Sequence, residues 1–96
     1  MDYWSWRSGR PVGYDEDGYL YTWDGQCVGQ FVRHEVYAPD GWYLGEADGE
    51  WLMRDRRKAT SRSSPFTTPG RNSSQDAPGA VGGNTLWGGF EDFPEV

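Results

Sequence analysis

The sequence predicts an all-β fold: four pseudo-symmetric β-hairpin repeats of 16 residues in a small closed meander ring, followed by a flexible tail. Three observations carry this expectation. Rings supply the apolar area, with six Trp and six Tyr in 96 residues and no Ile, a mix that suits strands. Fourteen Gly and six Pro leave little room for long helices. Above all, the chain repeats itself every sixteen residues from Tyr3 to Phe66.

Set in register, the four blocks read YWSWRSGRPVGYDEDG, YLYTWDGQCVGQFVRH, EVYAPDGWYLGEADGE and WLMRDRRKATSRSSPF. Gly9, Gly25 and Gly41 share one column, and Gly13, Gly29 and Gly45 another; Val12, Val28 and Leu44 fill a third, and Trp4, Leu20, Val36 and Leu52 a fourth. Each block therefore reads as two short strands around a turn. A three-residue loop, a type I turn closed by a left-handed Gly, fits Pro39-Asp40-Gly41, because Pro presets φ at the first turn position and Gly accepts φ > 0 at the last. That loop makes the fourth and third columns direct partners on one face, so the expected core is Trp4/Val12, Leu20/Val28, Val36/Leu44 and Leu52/Thr60. The opposite face is expected to carry Tyr3, Tyr19 and Trp51 over the strand glycines, with Tyr21, Tyr37, Tyr43 and Met53 nearby. "YDEDGY" and "EADGEW" supply turns between hairpins, whereas "GQFVRHEVY" joins the second and third without Gly or Pro. In the fourth block Arg56-Arg57 stand where Asp-Gly would be wanted, which makes its turn the irregular one.

The pieces "LYTWDGQCVG" (Leu20 to Gly29) and "VYAPDGWYLGE" (Val36 to Glu46) alternate a short aromatic strand and turn with G-x-x-V-G or G-x-x-L-G. In this the chain resembles the bacterial 4-fold β-flower domain family over about residues 3–58. The resemblance implies a fold and brings no catalytic residues.

After residue 60 the composition changes. Residues 61–84 are rich in Ser, Pro and Gly and are expected to form a linker with too little apolar area to offset ordering entropy. Residues 85–96, "TLWGGFEDFPEV", place Trp87, Phe90 and Phe93 at spacing three among acids. This end either folds back on the ring or is a short motif for a partner or a neighbouring subunit.

Charge narrows the function classes. Residues 1–50 carry ten acids against three Arg, residues 51–62 carry five bases against Asp55, and residues 63–96 carry four acids against Arg71. An acidic body argues against nucleic-acid binding, and the run Arg54, Arg56, Arg57, Lys58, Arg62 reads as a solvated strand end. No apolar stretch approaches the roughly 20 residues of a membrane span, no signal-like run follows the N-terminus, and lone Cys27 points to no disulfide, so the expectation is cytoplasmic. His34 abuts Glu35 but has no nucleophile fixed nearby. Asp15, Glu16 and Asp17 fail the calcium-loop register. No catalytic residue, cofactor or metal ligand is assigned. The reading is a non-catalytic protein-interaction or self-assembly module using Tyr21, Tyr37, Trp42, Tyr43, Trp87, Phe90 and Phe93. The alternative is glycan or cell-wall binding through Tyr21, Tyr37 and Trp42, and a small hydrolase stands behind both.

Overall fold

A computed structural model describes residues 1–96 as eight strands: β1 (Asp2–Ser5), β2 (Pro11–Glu16), β3 (Tyr19–Tyr21), β4 (Cys27–Val32), β5 (Glu35–Tyr37), β6 (Tyr43–Asp48), β7 (Trp51–Asp55) and β8 (Phe90–Asp92). The first seven form an antiparallel meander in which each strand pairs with the next. A parallel pairing of Trp4 with Trp51 and Ser5 with Leu52 joins β1 to β7 and closes the ring. Closure removes the free sheet edge a meander would otherwise expose. The result is a disc of 36 × 32 × 19 Å. At its centre Leu20, Val36 and Leu52, sixteen residues apart, are fully buried with Tyr3, Val12 and Phe93. One hairpin cannot bury its apolar face, whereas several around one axis bury it together.

The second and third hairpins have the expected three-residue loops. Thr22 N donates to Gln26 O at 2.9 Å and Gly25 N to Thr22 O at 2.9 Å; Ala38 N to Trp42 O and Gly41 N to Ala38 O repeat the pattern at 2.8 Å. The first hairpin is one residue longer, closed by Ser5 N to Arg10 O and Gly9 N to Ser5 O. That extra loop residue shifts β1 by one position and alternation does the rest: Tyr3, not Trp4, enters the core, and Trp4 turns outward.

A second irregularity corrects the expected cross-strand pairs. Tyr21 faces Cys27, yet Leu20 faces Gly29, so Val28 is the extra residue of a bulge. Val36 likewise faces Gly45 past Leu44, and Tyr3 faces Gly13 past Val12. The bulge draws the strand glycines against the following strand: a Cβ on Gly13 would overlap the Tyr21 carbonyl, and one on Gly45 the Met53 carbonyl. Close approach is the reason these positions are Gly: backbone at Gly13, backbone and the Phe93 ring at Gly45, and the Val36 side chain at Gly29.

The fourth hairpin does not form. Without Gly to take φ > 0, Arg56–Lys58 make one 3-10 turn, capped by the Asp55 side chain accepting from Arg57 N, and the chain leaves the ring. Thr60 therefore never meets Leu52. The strand antiparallel to β7 comes instead from the C-terminus, with Met53, Arg54 and Asp55 facing Asp92, Glu91 and Phe90. Phe93 follows β8 into the core.

Residues 61–84 lie along the hairpin turns. Ser63 N donates to Gly41 O (2.8 Å), Asn72 N to Gly25 O (2.9 Å) and Val81 N to Gly9 O (3.0 Å), one turn every nine residues. Three positions after each, Phe66 N meets Pro39 O, Gln75 N meets Trp23 O, and Asn84 N meets Trp6 O at 2.7–3.0 Å. The same period is written in the sequence as RSSPFTTPG, RNSSQDAPG and AVGGNTLWG, residues 62–88. This belt also covers part of the face expected to be open: Tyr14, Tyr21 and Cys27 are buried in a second cluster to which Trp23, Tyr19 and Phe66 add. No helix is long and apolar enough to cross a membrane.

Candidate functional site

Ring closure and the tail bring distant aromatic residues to one edge. Trp6 sits in the longer first turn, Trp51 begins β7, and Trp87 and Phe90 arrive with the tail. The Trp6 ring lies edge-on to Trp51 at 5.8 Å and tilted to Trp87 at 5.3 Å, and Trp87 meets Phe90 edge-on at 5.7 Å. Trp6 Nε1 donates to Thr85 O at 2.9 Å, fixing the ring, and the Arg57 guanidinium lies over Phe90 at 5.5 Å. Trp87 remains 55% exposed. Beside this edge an open cavity of about 400 Å³ is lined by Arg7, Gly83, Asn84, Thr85 and Leu86.

The tail is held here by Asp92. Its carboxylate accepts from the Ser5 hydroxyl and from the Arg7 and Ser8 amides, the last two at 3.1 Å. Burial pushes this carboxyl up, but the Ser5 hydroxyl and the two turn amides outweigh it and hold Asp92 below the usual aspartate value.

Of the residues expected to make contacts, Trp87 and Phe90 belong to this edge. Tyr21, Tyr37, Tyr43 and Phe93 are buried and present no free ring face. Trp42 is exposed on the rim, but Arg62 stacks on it at 4.3 Å. The expected set missed Trp6 and Trp51. No linear spacing announces them, since residues 6, 51 and 87 meet only through the β1–β7 seam and the returning tail.

A polar cluster lies elsewhere on the ring. Lys58 Nζ bridges Glu35 Oε2 (2.8 Å) and Glu46 Oε1 (2.9 Å), while Tyr37 and Tyr43 donate to the same two carboxylates at 3.0 and 2.8 Å. The Lys58 hydrogen bond holds Glu35 low despite desolvation, and the two carboxylates raise Lys58. Burial drives Tyr43 up, and its oxygen accepts from Asp55 N at 3.0 Å. Exposed His34 reaches Glu46 at 3.7 Å. His34, Glu35 and Glu46 have the spacing of a three-ligand cation site, but the Lys58 ammonium already sits between the carboxylates and offsets one of their two charges. The arrangement pins the turn after β7 to β5 and β6. Cys27 is buried and its thiol is pushed up, so it is a poor nucleophile.

The basic run is likewise engaged. Arg54 pairs with Glu91, Arg57 with Asp55, and Arg62 donates to Asp40 O. Arg56 is exposed beside it.

Comparison with curated proteins and with solved structures returns no match. A family model described as 4-fold beta flower protein matches residues 6–83, most of the ring together with the belt up to Gly83. The bulged hairpins repeating around one axis and this match agree: the chain belongs to the 4-fold beta flower protein family.

Proposed function

We propose that this small β-flower domain is a non-catalytic module that associates with itself or another protein through the edge formed by Trp6, Trp51, Trp87 and Phe90. The observation that carries the reading is the 55% exposure of Trp87 within a cluster of four aromatic residues, in a molecule whose other apolar rings are mostly buried or capped. Aromatic side chains that are rigid yet exposed contribute strongly to interfaces, because little side-chain entropy is lost when they are covered. Light scattering on the full chain and on Trp87→Ser tests it: a complex that loses mass on substitution supports the edge, whereas equal masses for a self-associated pair refute it. For a monomeric chain the same variant is carried into a partner screen, where unchanged partner binding refutes it.

A second reading is glycan binding: Tyr21 and Tyr37 are buried and Arg62 stacks on Trp42, so its support is the cavity where Arg7, Asn84 and Thr85 offer polar groups and the Thr85 carbonyl holds the Trp6 ring. A glycan array with no hit removes it. A hydrolase gains no support from His34, which is exposed and whose carboxylate neighbours are held by Lys58.

A further inference from the structure

Outside the closed ring, β7 takes an added strand from far along the chain. In each of hairpins one to three the second strand begins six residues after the first ends, whereas β8 begins 35 residues after its partner Asp55. Everything that anchors the terminal segment joins it to the ring. Arg56 N donates to Gly89 O at 2.8 Å, Arg54 pairs with Glu91, Asp92 takes the Ser5 hydroxyl and two turn amides, and Phe93 fills the core with Arg10 reaching its carbonyl at 3.4 Å. The ring would bind this segment with the same groups whichever chain carried it. Gly82 and Gly83 lie just before this segment, with open space beside Gly82, and provide the point at which the path can change.

We propose that residues 85–96 are an exchangeable strand, and that β7 with the Ser5–Ser8 turn is a docking site for the same segment of a second copy of this chain. This rests on the self-association reading above and names its partner. The mode is strand addition to the Met53–Asp55 stretch of β7 once its own tail has left it, with Asp92 fixing register and Phe93 plugging the core. In the exchanged pair two sites are filled reciprocally, so no contact is lost, and the Trp6, Trp51 and Trp87 rings lie where the copies meet. Exchange is opposed by the local concentration of the tethered segment, which is on the order of millimolar or above because the ordered belt delivers the segment to its own ring. Single chains therefore dominate when dilute, and reciprocal pairs grow in with concentration.

The test uses a fluorescent peptide of residues 85–96 added to the full chain, read by anisotropy. Asp92→Ala in the chain weakens its own tail and should raise peptide affinity on the order of tenfold; Asp92→Ala in the peptide should lower it by a similar factor. These opposite responses to one substitution separate site-specific capture from sticking to exposed aromatic surface. Donor- and acceptor-labelled wild-type chains mixed at high concentration should also gain energy transfer, a readout independent of any destabilised variant. Failure of the variant chain to capture the peptide at millimolar concentration, or equal capture of both peptides, overturns the exchange, and the aromatic edge then stands or falls on the Trp87→Ser result. Specific capture together with energy transfer upholds it.

Discussion

Replacing Gly25 by alanine should cost far more than the same change at Gly18, although the two share a backbone conformation. Gly18 has φ 84 and Gly25 φ 88, so both variants force alanine into the left-handed region at about 1 kcal/mol. Reduced freedom of the unfolded chain returns roughly half of that in each case. Their surroundings differ. Nothing lies within 4 Å of a Cβ at Gly18, whereas one at Gly25 would overlap the Asn72 carbonyl of the belt. To clear it the belt must lift, breaking Asn72 N to Gly25 O and Gln75 N to Trp23 O, each worth about 1 kcal/mol. Gly18→Ala should therefore lose about 0.5 kcal/mol and Gly25→Ala about 2.5 kcal/mol. Urea unfolding of both variants measures the difference, and hydrogen exchange should show the Asn72 and Gln75 amides losing protection in Gly25→Ala alone. Losses equal to within about 0.5 kcal/mol, with both amides still protected, would refute the belt as a stabilising element.

Two further expectations follow from charge. Asp92 is held below its ordinary 3.8, so its contribution is fully present above that pH and is lost as pH falls through the lowered folded value; Asp92→Asn should destabilise by about 1–2 kcal/mol at neutral pH and by nothing well below 3.8, measured by urea unfolding at both pH values. Lys58 is raised from 10.5 and Glu35 lowered from 4.5, so Lys58→Met should destabilise by about 1 kcal/mol between those values, after allowing for solvent screening. The difference from wild type should shrink as pH falls through the lowered Glu35 value or rises through the raised Lys58 value; a pH-independent difference in thermal unfolding would show that lost packing, not the ion cluster, sets the effect.

What could be read directly from the sequence was whatever repeats within contiguous residues. Asp-Gly at sixteen-residue spacing announced the turns, and Leu20, Val36 and Leu52 announced the axis. The bulges were hidden because Val28 and Leu44 are apolar and suit a paired position; only the approach of the next strand to the glycines, a tertiary contact, makes them the extra residues. The single added residue in the first turn was visible as "SWRSG" against "TWDG", yet its consequence, the exchange of Trp4 for Tyr3 in the core, depends on strict alternation along a strand of four residues. Arg33 at φ 58 shows the opposite case, a turn that forms between β4 and β5 without the residue that signals one.

The belt shows most clearly what composition leaves out. A segment of Ser, Pro, Gly and Ala has little apolar area to bury, and by that measure it should not be ordered. Its anchors are instead backbone amides placed every ninth residue against carbonyls that hairpin turns point outward in any case. The four-part ring thus defines a track whose spacing the tail matches, and the mismatch at Arg56-Arg57, which prevents a fourth hairpin, is what releases the chain to follow it. Following the track three turns round brings the terminus back to β7, where Phe90–Asp92 supply the missing partner strand and Trp87 is left on the outside. The defect in the fourth repeat and the exposed aromatic edge therefore have one origin. A chain that closed its fourth hairpin at residue 60 would have neither a strand returning from the C-terminus nor Trp87 beside Trp6.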